Sequence, residues 1–476
     1  MRRLRNFING GWVDSAGDDW IELVDPTVGR AQALVPAGTA ADIDLAVRAA
    51  AAAAPGWAAT PLDERLECLE RAAARLDGGI DELALLEYRE MGKPLGIAAD
   101  FVRAGVEVLR AAVADARSYP FTEPMGTVGH IRTVTVHRPL GVTAQIIPWN
   151  FTVTAALLGL GPLLAAGNTV VLKPSEKAPL SAERMVELLG LPPGVLNVVF
   201  GDARAGAPLA EHPLVELVHF TGSVASGRAV AVATAKRLCR AVLELGGKDP
   251  VIVDSDVDPV ATAEAVAYAA FVNTGQICTS MERVYVHEAI ADDFLAALVA
   301  QAEAYVSGDG ARPETKLGPL VDERQRRIVQ RHVDDAVGRG AKLLVGGVVP
   351  DGPGFFFPAT VLTGVTPEML LFEEETFGPV APVQVVSSFE EAVRLASDNV
   401  YGLAATVFTR NPAHASAARE IPAGMVWVNQ WQGGGLVRMY EPARHSGMTA
   451  TGGRAAFDAA TRAVSVSDDV TLASAG

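Results

Sequence analysis

The chain has 476 residues, 49% hydrophobic and 20% charged. At ~150 residues per domain there is room for about three units, and the composition excludes a disordered or fibrous chain. Fifty-six acidic against 40 basic residues give a net charge of −16, which repels phosphate backbones and argues against a nucleic-acid partner.

The start, Met1-Arg2-Arg3-Leu4-Arg5-Asn6-Phe7, is basic, but no apolar run follows as a secretory signal would require. After a hairpin-like turn at Asn9-Gly10-Gly11, helices are expected over 40–57, 62–90 and 97–116. In the second, Leu66, Leu69, Ala73, Leu76, Leu83 and Leu86 recur at spacings of three and four. The most apolar stretch, 151–166, holds Thr152, Thr154, Gly159, Gly161 and Pro162. It falls short of the ~20 residues that span a bilayer, so it reads as a buried core helix. Three cysteines, Cys68, Cys239 and Cys278, cannot make a disulfide framework; their odd count fits a reducing compartment, and the expected location is the cytoplasm.

From residue 140 the pattern alternates. Strands are expected over 142–147, 169–172, 195–200, 217–220 and 241–243, with helices over 155–166, 181–189, 205–211 and 225–235. Apolar strands joined by helices predict a doubly wound parallel sheet, which binds ligands at the carboxyl ends of its strands. A second α/β series follows, with strands over 251–253, 283–286, 342–345 and 426–429 and helices over 260–272, 291–305 and 390–396. His130-Ile131-Arg132-Thr133-Val134-Thr135-Val136-His137 and Arg462-Ala463-Val464-Ser465-Val466-Ser467 alternate apolar and polar, as half-exposed strands do. They predict a ribbon that pairs with a neighbouring subunit, or equally an ordinary surface hairpin. No fixed-period repeat appears.

Several residues stand where chemistry occurs. Cys278, in Gly275-Gln276-Ile277-Cys278-Thr279-Ser280, lies among small and polar residues that suggest a tight turn able to aim N–H groups at an anion. A buried inert thiol is the ordinary alternative. Cys68 and Cys239 read as structural. No cysteine-hydrolase histidine signature surrounds Cys278. Glu244 closes an apolar strand ahead of Gly246-Gly247-Lys248 and is the carboxylate candidate for a base; a solvated loop-edge glutamate is the alternative. Lys173-Pro174-Ser175-Glu176 would either grip ribose hydroxyls or start a helix. Phe220-Thr221-Gly222-Ser223 puts glycine and hydroxyls between strand and helix, where free N–H groups can hold a pyrophosphate. It is not a P-loop, since Arg228 and Ala229 follow Gly227.

In order, Ile147-Pro148-Trp149-Asn150-Phe151, Gly167 to Glu176, Phe220 to Ser223, Glu244 to Lys248, Gly275 to Cys278 and Glu374-Glu375-Thr376-Phe377-Gly378-Pro379-Val380 closely resemble the NAD(P)-dependent aldehyde dehydrogenase superfamily over nearly the whole chain. The resemblance implies an α/β fold with a Rossmann-like cofactor domain (1–118 and 140–246), a second α/β catalytic domain (247–443) and a small oligomerisation ribbon (119–139 and 459–476). It implies Cys278 as nucleophile, Asn150 with the Cys278 N–H as oxyanion site, and Glu244 as general base. Ile147, Pro148, Trp149, Lys173, Ser175, Glu176, Phe220, Thr221, Gly222, Ser223, Leu245, Gly246, Glu375 and Phe377 would hold the cofactor; no metal site is assigned.

Glu176 favours NAD over NADP, because a carboxylate pairs with a 2′-hydroxyl and repels a 2′-phosphate. Glu244 favours hydrolysis of the acyl group over its transfer to coenzyme A. Phe151, Ala155, Leu158, Ile277, Thr279 and Trp431 match positions that line the substrate tunnel in relatives and predict an apolar or aromatic aldehyde. Arg438 or Arg444 would instead suit a semialdehyde. The sequence departs from the family at Thr152, where proline is usual. It departs again at Tyr440-Glu441-Pro442-Ala443-Arg444-His445-Ser446-Gly447, where Pro-Phe-Gly-Gly-x-Lys-x-Ser-Gly is common. A homodimer or homotetramer is expected. A non-catalytic protein on the same fold is the alternative of another class, against which Cys278, Asn150, Glu244 and Glu375 together argue.

Overall fold

The computed structural model describes residues 1–433 and 439–471. Its first large sheet runs in the order Gly447–Met448, Arg240–Glu244, Val215–Thr221, Val142–Ile146, Thr169–Lys173, Leu196–Val198, Asn6–Ile8, Gly11–Val13. The five central strands are parallel, and the flanking strands pair antiparallel. Val142–Ile146 and Thr169–Lys173 are buried at every position, as strands covered by helices on both faces must be. The expected doubly wound arrangement is met.

The second large sheet has the order Lys342–Val345, Thr360–Thr363, Val380–Val386, Met281–His287, Asp249–Val253, Ala404–Phe408, Met425–Val428. All but the Lys342–Val345 pairing are parallel. Three of these strands, Thr360–Thr363, Val380–Val386 and Ala404–Phe408, were not expected from the sequence. Pro382 discourages a strand reading because it cannot donate to a ladder. Ala404–Phe408 is short and wholly buried, and a buried strand has no alternation to reveal it.

The expected helix over 62–90 is two, Leu62–Asp77 and Ile80–Met91. The break falls at Gly78-Gly79, where a Cβ on Gly79 would strike Leu188 at 2.6 Å. The expected hairpin is present: Asn6–Ile8 pairs with Gly11–Val13 through Asn9 and Gly10, both at positive φ, the turn that suits strand twist. The strands Trp20–Asp25 and Arg30–Pro36 also precede the helices, so the first hundred residues are less helical than the pattern suggested.

Ile131–Pro139 pairs antiparallel with both Thr122–Val128 and Thr461–Asp469. The two alternating segments thus pair with each other within one chain, and residues 472–476 lie outside the described ones. Among the described residues no helix is long and apolar enough to cross a membrane.

Candidate active site

The carboxyl ends of the two sheets face one cavity of about 490 Å³, whose wall includes Asn150, Glu244, Cys278 and Glu375. Asn150 stands between strand Val142–Ile146 and helix Thr152–Ala165. Its Nδ2 donates to the Gln276 carbonyl at 3.0 Å. A side-chain amide has two protons, so one is left for an acceptor in the cavity. The Asn150 carbonyl accepts from Lys93 Nζ at 3.0 Å. Lys93 is buried against the Glu87 carboxylate at 2.5 Å, and Glu87 also accepts from the Val153 N–H at 3.4 Å. Lys93 Nζ further lies 4.8 Å from the Phe151 ring centre. A buried ion pair is tolerable when its remaining valences are satisfied in this way.

Cys278 leaves the second unit on a strained turn. After helix Pro259–Phe271, Asn273, Thr274 and Gly275 take φ values of 53°, 59° and 67°, the left-handed region that costs a β-branched residue most. Thr274 Oγ1 donates to the Gly318 carbonyl at 3.1 Å. A Cβ at Gly275 would collide with the Gly378 backbone. Gln276 is pinned from three sides, accepting from the Val321 N–H and donating to the carbonyls of Asn273 and Pro319. The expected tight turn is thus present, and Cys278 emerges from it half-buried. Burial, together with the carboxyl groups of Asp249, Glu375 and Glu244, pushes its thiol well above the ordinary range.

Glu244 ends its strand beside Thr221 and Gly447. Its Oε2 accepts from the Tyr440 hydroxyl at 2.9 Å, while Oε1 is buried with no partner among the described residues. Burial pushes the carboxyl up to about 8, with the Tyr440 bond pulling the other way. Glu375 accepts from the Gly247 N–H at 3.2 Å. It too is pushed up to about 8, first by burial and then by Glu282. A Cβ at Gly246 would collide with its carboxylate, which is why a glycine stands there. The loop is held from beneath. Glu282 accepts from the N–H groups of Thr376 and Phe377 at 2.7 and 2.8 Å and pairs with buried Lys248. Gln325 donates to both carbonyls of the same two residues.

Pro148, Trp149, Thr221, Gly222, Ser223, Leu245, Gly246 and Phe377 line one end of the cavity. Trp149 and Phe377 meet edge-on at 5.5 Å. Ser223 caps helix Val224–Ala235, whose first N–H groups suit a pyrophosphate. Lys173, Ser175 and Glu176 stand outside that wall, at the end of the adjacent strand. Lys173 Nζ donates to the carbonyls of Pro174 and Gly201 at 2.8 and 2.7 Å, with its third proton uncommitted. These donors, small residues and rings fit a dinucleotide. Ile147 and Phe220 are buried and do not reach the cavity wall.

At the other end, Phe151, Ala155, Leu158, Ile277 and Thr279 line the cavity as expected. Trp431 does not. Its indole N–H donates to the Thr279 carbonyl at 2.9 Å and its ring meets Tyr268 edge-on, so it braces the wall from behind. Phe101, Thr154, Met425, Trp427, Gln432 and Tyr440 also line the cavity, and sequence reasoning missed them. Tyr440 alone carried a signal, since it begins the segment that departs from the family pattern. Thr152 opens its helix and donates to the Ala178 carbonyl at 3.3 Å. Arg438 lies outside the described residues. Arg444 is exposed and donates to the carbonyls of Ser397 and Asn399, away from the cavity.

Residues 12–466 match the Aldehyde dehydrogenase family. The chain is 37% identical over 473 residues to 2-hydroxymuconic semialdehyde dehydrogenase of Pseudomonas sp. (strain CF600), covering 95% of this chain and 96% of that one. It is 38% identical to phenylacetaldehyde dehydrogenase of Pseudomonas fluorescens, covering 89% and 87%. The solved structure of indole-3-acetaldehyde dehydrogenase complexed with NAD+ superposes with a TM-score of 0.95 at 34% identity, covering 98% of this chain and 97% of that one. The chain belongs to the aldehyde dehydrogenase family and is an NAD(P)-dependent enzyme that oxidises an aldehyde to its carboxylic acid.

Proposed function

We propose that the enzyme prefers an apolar or aromatic aldehyde, uses NAD and releases the acid by hydrolysis. Cys278 is the nucleophile, Asn150 and the Cys278 N–H are the oxyanion donors, and Glu244 is the base. The observation that carries this reading is the convergence of Cys278, Asn150 and Glu244 on one cavity whose far wall is Phe101, Phe151, Ala155, Leu158, Met425 and Trp427.

Cys278 begins as a thiol and must lose its proton to react. That proton passes to water beside the sulfur, and Glu244, with its carboxyl pushed up to about 8, is matched to act as the base of the later hydrolysis near neutral pH. The thiolate sulfur bonds to the aldehyde carbon, and the alkoxide formed meets the free amide proton of Asn150. Glu375 and Phe377 would hold the nicotinamide end of the cofactor and Ser223 its pyrophosphate, and the bound cofactor would supply the acceptor for the hydride that leaves that carbon. The product is a thioester on Cys278. Glu244 then takes a proton from water as its oxygen bonds to the acyl carbon, and the sulfur leaves as thiolate.

A semialdehyde is favoured by two similar proteins, 2-hydroxymuconic semialdehyde dehydrogenase and 3-succinoylsemialdehyde-pyridine dehydrogenase, both of Pseudomonas. Its carboxylate would call for a cation, yet among the described cavity residues Lys177 is paired with Asp322 and Arg324 stands at the start of helix Glu323–Gly338. NADH formation with benzaldehyde, hexanal and succinic semialdehyde, each with and without coenzyme A, tests the reading. The first two should turn over without coenzyme A. Turnover of succinic semialdehyde alone rejects the apolar preference, and dependence on coenzyme A rejects hydrolysis.

The free thiols support a reducing compartment, the cytoplasm. Residues 1–118 and 140–246 would act as the cofactor domain and 247–443 as the catalytic one. The sheet of Thr122–Val128, Ile131–Pro139 and Thr461–Asp469 carries exposed Met125, Val128, Ile131 and Val466, which supports its use as the contact of a homodimer or homotetramer.

A further inference from the structure

Residues 440–448, where the sequence departs from the family, form a strap over Glu244. Tyr440 is bridged to Thr451 by two backbone bonds of 2.9 and 3.0 Å. The Ala443 N–H donates to the Gly402 carbonyl at 2.9 Å. Ser446 is buried: its carbonyl accepts from the Leu245 N–H at 2.8 Å, and its Oγ accepts from the Gly402 N–H at 3.0 Å. Gly447 then pairs with Glu244 itself. The strap passes so close that a Cβ at Gly424 or Gly447 would collide with backbone carbonyls. Its anchors leave the Tyr440 ring little freedom, and they aim its hydroxyl at one oxygen of Glu244.

We propose that Tyr440 is a positioning residue that holds Glu244 in place by donating its hydroxyl proton to Oε2, drawing the carboxyl towards its ionised form and leaving Oε1 as the oxygen that receives the proton from water. The proposal rests on Glu244 being the base. A buried carboxylate without a donor is driven towards its neutral form, and one charge-assisted hydrogen bond opposes this. The titratable groups that face Glu244 are Tyr440 from the strap and Cys278 from its turn. Behind Cys278 stand Glu375 and Asp249; no described cation contributes. The phenol is therefore the sole described group that favours the charged form, and burial beside Glu244 keeps the phenol itself protonated.

The experiment compares Tyr440→Phe, Glu244→Gln and the double variant by the pH profile of thioester hydrolysis in a single turnover with benzaldehyde, alongside the NADH burst. In Tyr440→Phe the rising limb of hydrolysis should move up by about one pH unit or more, slowing it about tenfold near pH 7, with burst amplitude retained. The double variant should hydrolyse no more slowly than Glu244→Gln, because the hydroxyl acts through that carboxylate. A Tyr440→Phe profile that overlays the parent, or a further loss in the double variant, overturns the positioning role. If Glu244→Gln itself hydrolyses at the parent rate, the base assignment fails and the proposal falls with it.

Discussion

The side-chain amide of Asn150 is bonded to the carbonyl of Gln276 at 3.0 Å. The turn that ends a strand of the first sheet is thereby tied to the turn that presents Cys278 from the second. The proposed oxyanion donor and nucleophile are set against each other by this bond and by a second from Asn273 Nδ2 to the Asn150 carbonyl at 3.5 Å, and disturbing either side moves both.

Replacement of Cys278 by Ala removes the proposed nucleophile. It leaves the residues assigned to the dinucleotide unchanged. Aldehyde-dependent NADH formation should vanish while the dissociation constant for NADH, read by its fluorescence, stays within about twofold. Residual oxidation at a tenth or more of the parent rate would rule out Cys278 as nucleophile.

Glu244 sits at about 8 in the folded enzyme, against about 4.3 for an exposed glutamate. Between those values the folded chain keeps a proton that the unfolded chain has released. The resulting stability is complete below the unfolded value and is lost as pH rises through the folded one. Catalysis has the opposite sign, because the base works ionised: hydrolysis should rise as pH climbs through about 8. Glu244→Gln lacks this titration. Its melting temperature relative to the parent should improve from about pH 6 to about pH 9, and its Cys278 should gain the mass of an acyl group under saturating aldehyde. A constant difference in melting temperature, or an unmodified Cys278, contradicts the assignment.

Lys93 ties Glu87 of helix Ile80–Met91 to the Asn150 carbonyl. Lys93→Met leaves Glu87 buried and uncompensated, which should cost about 3–5 kcal/mol of stability, and it leaves the Asn150 carbonyl with only the longer 3.5 Å bond from Asn273 among the described residues. Pairing it with Glu87→Gln removes the stranded charge. The double variant should recover most of the melting temperature while kcat/KM stays depressed. Full recovery of both would show that Lys93 stabilises the fold without placing Asn150.

Gly246→Ala should displace Glu375, since the added methyl and the carboxylate compete for one space. Misplacement near the reacting atoms lowers kcat/KM steeply, here by about tenfold or more. The decisive comparison is Glu375→Ala in the Gly246→Ala background, where the clash is relieved and the melting temperature lost to it should partly return. No change on adding the second substitution would place the damage elsewhere.

The chemistry was legible because its residues lie in contiguous motifs at element ends: Glu244 closes a strand, Cys278 follows a turn rich in small residues, and Ser223 opens a helix. What holds these groups was not legible. Lys93 reaches Asn150 across 57 positions, and Tyr440 reaches Glu244 across 196. Trp431 fell behind the wall because its indole found the Thr279 carbonyl, a partner that no local pattern announces.

The amino-acid order alone determined the parallel α/β character and the candidate reacting groups, since periodicity and motif are local properties of a chain. Tertiary structure decided which of those groups share a cavity, which oxygen of Glu244 is already bonded, and how far burial raises each acid. Those outcomes depend on desolvation and on contacts between distant segments, and both exist only once the sheets have packed.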